Sequence, residues 1–244
     1  MEPSVDQIEE DKLTLFVDWL LANWLQVILA VIIALGAGTI MYKRKVDAVE
    51  KEETAAEDLL GAISPEFQVD GMKTNQPVAV LLNEVGENHP GTKAAKNAKF
   101  LLASELYAQH KFTEAGNLFR DYLGLSANGP LAAAAQFGLA ASQEASGSSK
   151  EAKVNYELVI SLHGTAPEAL QARVALAKMI LAQSNPDTGK AKELLLAASQ
   201  ESQAGRIPGF WGSEAERMLA PLLVQAKKEV VPDKGPIEDT KKDK

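Results

Sequence analysis

Few side chains in this sequence of 244 residues could do chemistry. His89, His110 and His163 are the only imidazoles, and the chain has no cysteine. No carboxylate or serine accompanies these histidines at the spacing of a catalytic triad or a zinc site. We therefore interpret the histidines as turn and helix-end residues. A membrane-bound hydrolase that uses His89 or His163 is kept as the alternative enzyme hypothesis.

Acidic runs and closely spaced glycines are the remaining candidates for metal or phosphate chemistry. Glu9-Glu10-Asp11 and Glu52-Glu53 are typical of solvated helix surface, because hard cations need oxygen ligands that converge from a defined loop. Gly36-Ala37-Gly38 lies inside an apolar run and does not join a strand to a helix, so it is not a phosphate-binding loop. The sequence predicts no catalytic residue, no metal site and no cofactor, and hence a protein that is not an enzyme.

The net charge of −8 is concentrated near the N-terminus. Residues 1–18 hold six acidic side chains against one basic side chain, Lys12. The rest of the chain carries little net charge and no basic surface that would neutralise the phosphates of a nucleic acid. We therefore expect no nucleic acid partner and, without a catalytic constellation, no small-molecule substrate.

A membrane anchor is predicted by the run from Trp24 to Tyr42, which contains no charged residue. Its nineteen residues, at a rise of about 1.5 Å each, would cross most of the hydrocarbon core of a bilayer. A cleaved signal peptide would need a positively charged leader, whereas the leader here is acidic. Small residues recur along one face of the span at Ala30, Ala34 and Gly38, a spacing that suits contact with another transmembrane helix.

An internal repeat of 37 residues follows the span. Each repeat unit divides into two helices with turn residues between them, and short side chains at the repeated positions would let antiparallel helices approach closely. Ser148 followed by Glu151 predicts a capping box at the start of one of these helices. The recurring positions include Ala95, Ala132 and Ala169; Ala98, Ala135 and Ala172; Leu102, Leu139 and Leu176; and Ala103, Ala140 and Ala177.

The predicted fold is all-α, with a single transmembrane helix followed by an α-solenoid of helical hairpins. We expect Pro221 to kink the last helix or to end it early. The expected helices lie near residues 77–88, 92–110, 113–125, 130–146, 149–162, 166–183, 188–203 and 210–228. The predicted domains are an acidic N-terminal tail (1–18, helical from Leu13), a transmembrane helix (19–42), a connecting helix (43–63), a loop (64–76), the repeat domain (77–228) and a disordered C-terminal tail (229–244).

The repeat resembles a known family of helical repeats. Large, small and aromatic residues follow the spacing of a tetratricopeptide repeat (TPR), and the resemblance covers roughly residues 77–203. The residues that carry it are Leu102, Ala103, Leu106, Phe112, Ala115, Phe119 and Tyr122. The resemblance implies a TPR-like α-solenoid.

The arrangement of the whole chain is similar to that of the YfgM-like bacterial inner-membrane proteins. It shares an acidic tail, one span ending in Tyr42-Lys43-Arg44, a connecting helix and an alanine-rich repeat domain. This resemblance implies a protein-interaction scaffold whose partner is a subunit of the Sec translocon, a membrane-anchored periplasmic chaperone or a nascent envelope protein. A cell-envelope or division assembly scaffold of the same architecture is the alternative.

The first helix of each hairpin should line the groove in which such repeats bind a partner. A clamp for a C-terminal carboxylate is not expected, because Phe100, Ser104 and Gly138 stand where such a clamp carries Lys, Arg or Asn. Small exposed side chains at Ala134, Gly138 and Ala141 would suit a bulky partner segment such as an amphipathic helix. The predicted partner-binding residues are Asn97, Leu101, Ser104, Tyr107, Glu144, Gln171, Lys178 and Leu181.

Two arguments about the membrane orientation disagree. Lys43, Arg44, Lys45 and Lys51 follow the span and only Lys12 precedes it, so the positive-inside rule places the repeats in the cytoplasm. The family resemblance implies a periplasmic repeat domain on a bacterial inner-membrane anchor. We adopt the periplasmic orientation as our expectation, because long translocated domains and acidic leaders weaken a count of so few charges.

Overall fold

The computed structural model describes residues 5–64, 76–203 and 209–230, and these residues form ten α-helices and no strand. The predicted all-α class is therefore confirmed. Most of the predicted loop at 64–76 and nearly all of the predicted C-terminal tail lie outside the described residues. The helices are α1 (Val5–Ala22), α2 (Trp24–Ile63), α3 (Val78–Asn88), α4 (Lys93–Ala108), α5 (Phe112–Leu125), α6 (Ala132–Ala145), α7 (Ser149–Leu162), α8 (Pro167–Leu181), α9 (Thr188–Gln203) and α10 (Phe210–Val230).

The contacts divide the chain into two compact units, Met1–Glu57 and Asp58–Lys244. The first unit holds α1 and most of α2. Among the described residues α2 is the one helix long and apolar enough to cross a membrane: its most apolar window has a mean hydropathy of 2.2, and none of that window is buried. Length and composition therefore make α2 a candidate anchor.

Helix α1 begins at Val5, earlier than the expected start at Leu13. Asn23 separates α1 from α2, and its side-chain amide donates a hydrogen bond of 2.8 Å to the carbonyl of Trp19. From Val5 onward the predicted acidic tail therefore belongs to a helix separate from α2.

The eight helices expected from the repeat region are all present, with boundaries that differ by a few residues. The last helix differs from the expectation about its proline, because it continues through Pro221 to Val230. Pro221 is exposed, so the carbonyl of Arg217 that it deprives of a hydrogen bond lies on the solvent side of the helix. The expectation that this proline ends the helix early is therefore wrong, and the alternative expectation of a kink stays a prediction.

The helices of the second unit form two layers. Helix α4 contacts α6, α6 contacts α8, and α8 contacts α10, in addition to the contacts between sequence neighbours. Within residues 76–203 and 209–230 no such contact joins α3, α5, α7 and α9 to one another. We call α4, α6, α8 and α10 the even-numbered layer and α3, α5, α7 and α9 the odd-numbered layer. The even-numbered helices are the more closely spaced.

Small side chains permit this close spacing. Ala103, Ala140 and Ala177 occupy the same position in successive repeats, and all three are completely buried, as the repeat analysis predicts. Larger side chains from the odd-numbered layer, such as Phe119 and Tyr156, fill the space between the hairpins. Burial of this apolar surface is the main force that holds neighbouring hairpins together.

A polar contact joins α6 to α7 inside the stack. Asn155 donates a hydrogen bond of 2.5 Å to the side-chain carbonyl of Gln143 and accepts one of 2.6 Å from Gln136. Gln136 is buried, so this network satisfies polar atoms that would otherwise be costly to remove from water.

Helix caps differ between the repeats. The hydroxyl of Thr92 caps α4, because it accepts a hydrogen bond of 3.0 Å from the backbone N–H of Ala95. Ser148 occupies the corresponding position of α7 but makes no side-chain cap hydrogen bond. The predicted capping box of Ser148 and Glu151 is therefore wrong. Ser148 has a ψ of 60°, unlike the extended backbone of Thr92, whose ψ is 161°.

Candidate partner-binding surface

The predicted partner-binding residues all lie on the even-numbered layer. Four of them stand on α4, one on α6 and three on α8. Tyr107, Glu144 and Lys178 are exposed, whereas the other five are half-buried. No partner is present, so their role in binding stays a prediction.

Tyr107 and Glu144 come together across the α4–α6 contact. The pKa of Tyr107 is raised above its ordinary value by partial burial and by the nearby Glu144 carboxylate. That carboxylate also accepts a hydrogen bond of 2.7 Å from the hydroxyl of Tyr156. Burial and this hydrogen bond raise the pKa of Tyr156 as well, so both phenols stay neutral at physiological pH. Glu144 thus joins α6 to α7 and lies near Tyr107 of α4.

Lys178 takes part in a second cluster, between α8 and α10. Its ammonium lies 2.9 Å from the carboxylate of Glu214 and 6.0 Å from the centre of the Trp211 ring. Arg217 donates two hydrogen bonds to the same carboxylate, at 2.8 Å and 2.9 Å. The hydrogen bonds from Arg217 and Lys178 lower the pKa of Glu214 to about 2. The surface therefore carries one cluster centred on an acid and two aromatic rings, and another of fixed ion pairs.

Gly138 does not lie open in the groove as expected. A methyl group at its Cα would meet the ring of Phe119 at 2.6 to 2.8 Å, so this position faces α5. The prediction that Gly138 is an exposed groove residue is wrong, because the close packing of α6 against α5 requires a residue without a side chain there. Leu101, one repeat earlier, packs against the apolar cluster formed by Leu81, Leu82 and their neighbours.

His89 has an acidic neighbour that sequence spacing did not indicate. Its Nε2 lies 2.5 Å from a carboxylate oxygen of Asp58, which stands 31 positions earlier near the end of α2. The side chain of His89 is 12% exposed, and its backbone carbonyl accepts a hydrogen bond from the Thr92 hydroxyl. The pair ties the end of α2 to the turn before α4, as expected for a structural histidine.

A polar cavity of about 350 Å³ lies between α5, α6 and the start of α7. Ser142 lines it with a hydroxyl that is buried and has no hydrogen-bond partner in the described part of the chain. The Cβ of Ser142 lies 3.3 Å from the place where a side chain of Gly116 would begin, so the two helices approach closely there. Among residues 5–64, 76–203 and 209–230, no three His, Asp or Glu side chains converge as a metal site.

Ala30, Ala34 and Gly38 lie on α2, in its exposed apolar part. A side chain added at Gly36 or Gly38 would meet no atom within 4 Å. The role of these small residues in contacting another transmembrane helix stays a prediction.

The α10 contribution to the surface was missed from the sequence. The sequence signal that could have revealed it is the continuation of the repeated apolar positions. Ala215 and Leu219 stand 38 positions after Ala177 and Leu181, one residue more than the repeat length. Extension of the repeat by that single step places α10 in the even-numbered layer and brings Trp211 beside Lys178.

No protein-family model matches the sequence, and no curated protein is similar to it at a significant level. Two crystal structures are similar to the chain in structure. Both are of the nearly identical TPR-like repeats of a Podosopora anserina protein described as a kinesin light chain. Both have 18% sequence identity and a TM-score of 0.49; they cover 74% of this chain and 87% or 88% of their own. The contacts between layers described above define the class of the fold: an all-α stack of helical hairpins.

Proposed function

We propose that this chain is a membrane-anchored docking scaffold without catalytic activity, which binds a protein partner on its even-numbered layer. The observation that carries the proposal is the union of an exposed apolar helix with a TPR-like repeat domain. Stacked helical repeats present extended surfaces to protein partners. Small buried residues bring the even-numbered helices close together, so that side chains of four helices contribute to one surface.

The partner that we propose is a component of protein export: a Sec translocon subunit, a membrane-anchored periplasmic chaperone or a nascent envelope protein. The proposal rests on the resemblance to YfgM-like proteins and on the absence of a carboxylate clamp in the groove sequence. Glu144 and Lys178 offer one acidic and one basic group on the same layer. The domain boundaries predicted above, including the span at 19–42, are part of this proposal.

Site-specific crosslinking tests where the partner binds. A photoreactive residue at Tyr107 or Gln171 samples the even-numbered layer, and one at Asn117 or Glu193 samples exposed sites on α5 and α9. We expect translocon or chaperone subunits to crosslink in the membrane to the first two positions and not to the controls. Equal crosslinking from both layers, or crosslinks to unrelated cytoplasmic proteins alone, would contradict the proposal.

The orientation of the membrane anchor is tested separately. Ser149 is exposed at the start of α7, so Ser149→Cys gives a single thiol in a chain without cysteine. We expect a membrane-impermeant thiol reagent to label it in intact cells with a permeabilised outer membrane. Protection of this thiol would place the repeats in the cytoplasm, in agreement with the four basic residues that follow the span.

The hydrolase hypothesis is tested by replacing the histidines. His163→Gln leaves the pair of His89 and Asp58 in place, and His89→Gln removes it. A scaffold should retain its crosslinks in both variants. Loss of a hydrolytic activity from the purified protein in either variant, with unchanged helical content, would overturn the non-catalytic assignment.

A further inference from the structure

A cleft of about 620 Å³ opens where the end of α6, the start of α7 and the last turns of α8 meet. Its apolar lining comes from half-buried Met179 and from the edges of Leu176 and Ile180, which are otherwise buried. Lys150, Lys153 and Lys178 lie around this apolar surface, and Glu144 is the one acidic residue among the lining residues of the cleft. We call this site the lysine cleft. It combines apolar walls with a local excess of positive charge in a chain whose net charge is −8.

The charges in the lysine cleft are unequally compensated. Lys178 is paired with Glu214, and the Glu144 carboxylate accepts a hydrogen bond from the hydroxyl of Tyr156. Lys150 and Lys153, on the first turns of α7, form no ion pair with any residue that the structure describes. Two ammonium groups are therefore available beside an apolar surface.

We propose that the lysine cleft binds a protein segment in which an acidic side chain stands next to a bulky apolar one. The carboxylate would pair with Lys150 or Lys153, and the apolar side chain would contact Met179 and its neighbours. A concave site with apolar walls suits an inserted side chain better than the flat, uniformly charged surface of an anionic membrane. The inference rests on the proposed scaffold function and names the chemistry of a partner segment.

The variant that tests this proposal most directly reverses the charge of the two unpaired lysines. Lys150→Glu and Lys153→Glu replace both ammonium groups and leave Lys178 with Glu214. Glutamate at position 150 is also compatible with the first turn of α7, where the helix dipole favours negative charge. The matched control is Lys111→Glu with Lys192→Glu, which changes the net charge equally at two lysines that do not line the cleft.

The experiment selects binders from a display library of short random peptides, with the full-length chain in lipid nanodiscs as the target. We expect peptides that pair Asp or Glu with Leu, Ile or Phe to be enriched on the unaltered chain and on the control variant. On the charge-reversed variant this enrichment should disappear. The best peptide should bind the charge-reversed variant at least about tenfold more weakly, and its own Glu→Gln version should lose affinity similarly.

Several results would overturn the proposal. The first is that no peptide is enriched on the unaltered chain. The second is that the enriched peptides share no acidic residue. The third is that acidic peptides are still enriched on the charge-reversed variant. Binding of the chain in nanodiscs to anionic vesicles, lost in the charge-reversed variant and kept in the control variant, would assign the two lysines to a lipid surface instead. Crosslinks from Tyr107 and Gln171 that persist in the charge-reversed variant would show that the groove functions without the cleft, so the two proposals fail independently.

Discussion

The two layers of the repeat domain are built from helices of similar length but from different side chains. All three of the buried aromatic residues in the described core, Phe119, Tyr122 and Tyr156, come from the odd-numbered layer. The even-numbered layer contributes completely buried alanines together with aliphatic side chains such as Leu170 and Leu176, and its helices contact one another. Both layers thus fill the core, the fully buried aromatic rings come from the odd-numbered layer, and the direct contacts of the even-numbered helices set the spacing between repeats.

This difference gives the two layers different roles in the stability of the repeat domain and in the binding of a protein partner. Removal of a large side chain from the odd-numbered layer leaves a cavity in the core. Enlargement of a small side chain in the even-numbered layer forces neighbouring helices apart. Glu144 and Lys178, two exposed groups with a hydrogen-bonded or ion-paired partner, belong to the even-numbered layer. A partner on that layer would contact groups held in place by an apolar interior to which both layers contribute.

The largest effect should follow the loss of an aromatic ring from the odd-numbered layer. Tyr156→Ala removes a side chain that is 2% exposed and should lower the free energy of unfolding by about 3 to 5 kcal/mol. Tyr156→Phe keeps the ring, removes only the hydroxyl that Glu144 accepts, and should cost far less. Urea unfolding of the detergent-solubilised chain, followed by circular dichroism, measures both. Equal losses would contradict the assignment of core filling to the ring.

Enlargement of a small residue in the even-numbered layer should have the next largest effect. Ala140→Leu places three extra carbons where none of the surface is exposed, and should cost about 1 to 3 kcal/mol. Ala145→Leu, at the exposed end of the same helix, should change stability by less than about 0.5 kcal/mol. A similar cost at both positions would mean that Ala140 does not set the helix spacing.

Two glycines should respond in opposite directions. Gly138→Ala brings a methyl group against the ring of Phe119 and should destabilise the chain by roughly 1 kcal/mol or more. Gly124→Ala, in α5 with no atom within 4 Å of the added methyl group, should stabilise it by up to about 1 kcal/mol. Thermal unfolding of the two variants side by side gives the signs. Stabilisation by Gly138→Ala would show that the two layers are less tightly packed there.

The two helix caps should differ by a smaller amount. Thr92→Ala removes the hydroxyl that accepts the N–H of Ala95, and should cost about 1 kcal/mol. Ser148→Ala removes no cap hydrogen bond from α7 and should be nearly neutral. Equal costs in urea unfolding would indicate that Ser148 caps its helix in solution after all.

The ion pairs between α8 and α10 predict a pH dependence. Because the pKa of Glu214 is lowered to about 2 from an ordinary value of 4.5, its stabilising contribution is complete above about pH 4.5 and is lost as the pH falls toward 2. The difference in Tm between the unaltered chain and Glu214→Gln should therefore shrink between about pH 6 and about pH 3. Glu193→Gln, at an exposed site on α9, is the control. A difference that stays constant with pH would contradict this prediction.

The repeat made most of the fold predictable from the sequence. Ala103, Ala140 and Ala177 recur at equal spacing because the same helix contact is made three times, so the period carries tertiary information. The contact of His89 with Asp58 could not be predicted in this way, because it joins the first repeat to a helix outside the series. Contacts that occur once leave no periodic trace.

The candidate surface was predicted less completely than the helices. The repeat assigns residues to a helix face, and it placed Tyr107 and Glu144 at equivalent positions that the structure brings together. It could not foresee that Gly138 faces Phe119, since this depends on the local distance between α5 and α6. The missing cap at Ser148 also depends on backbone angles that the residue types alone leave open.

The unequal spacing of the layers has a mechanical consequence. Within residues 76–203, neighbouring odd-numbered helices are not in contact, so tension that separates them further breaks no direct packing between them. The even-numbered helices touch, and compression on that side meets immediate steric resistance. The stack therefore has unequal stiffness in its two bending directions. Under an applied load the repeats would therefore bend more easily in one direction than in the other.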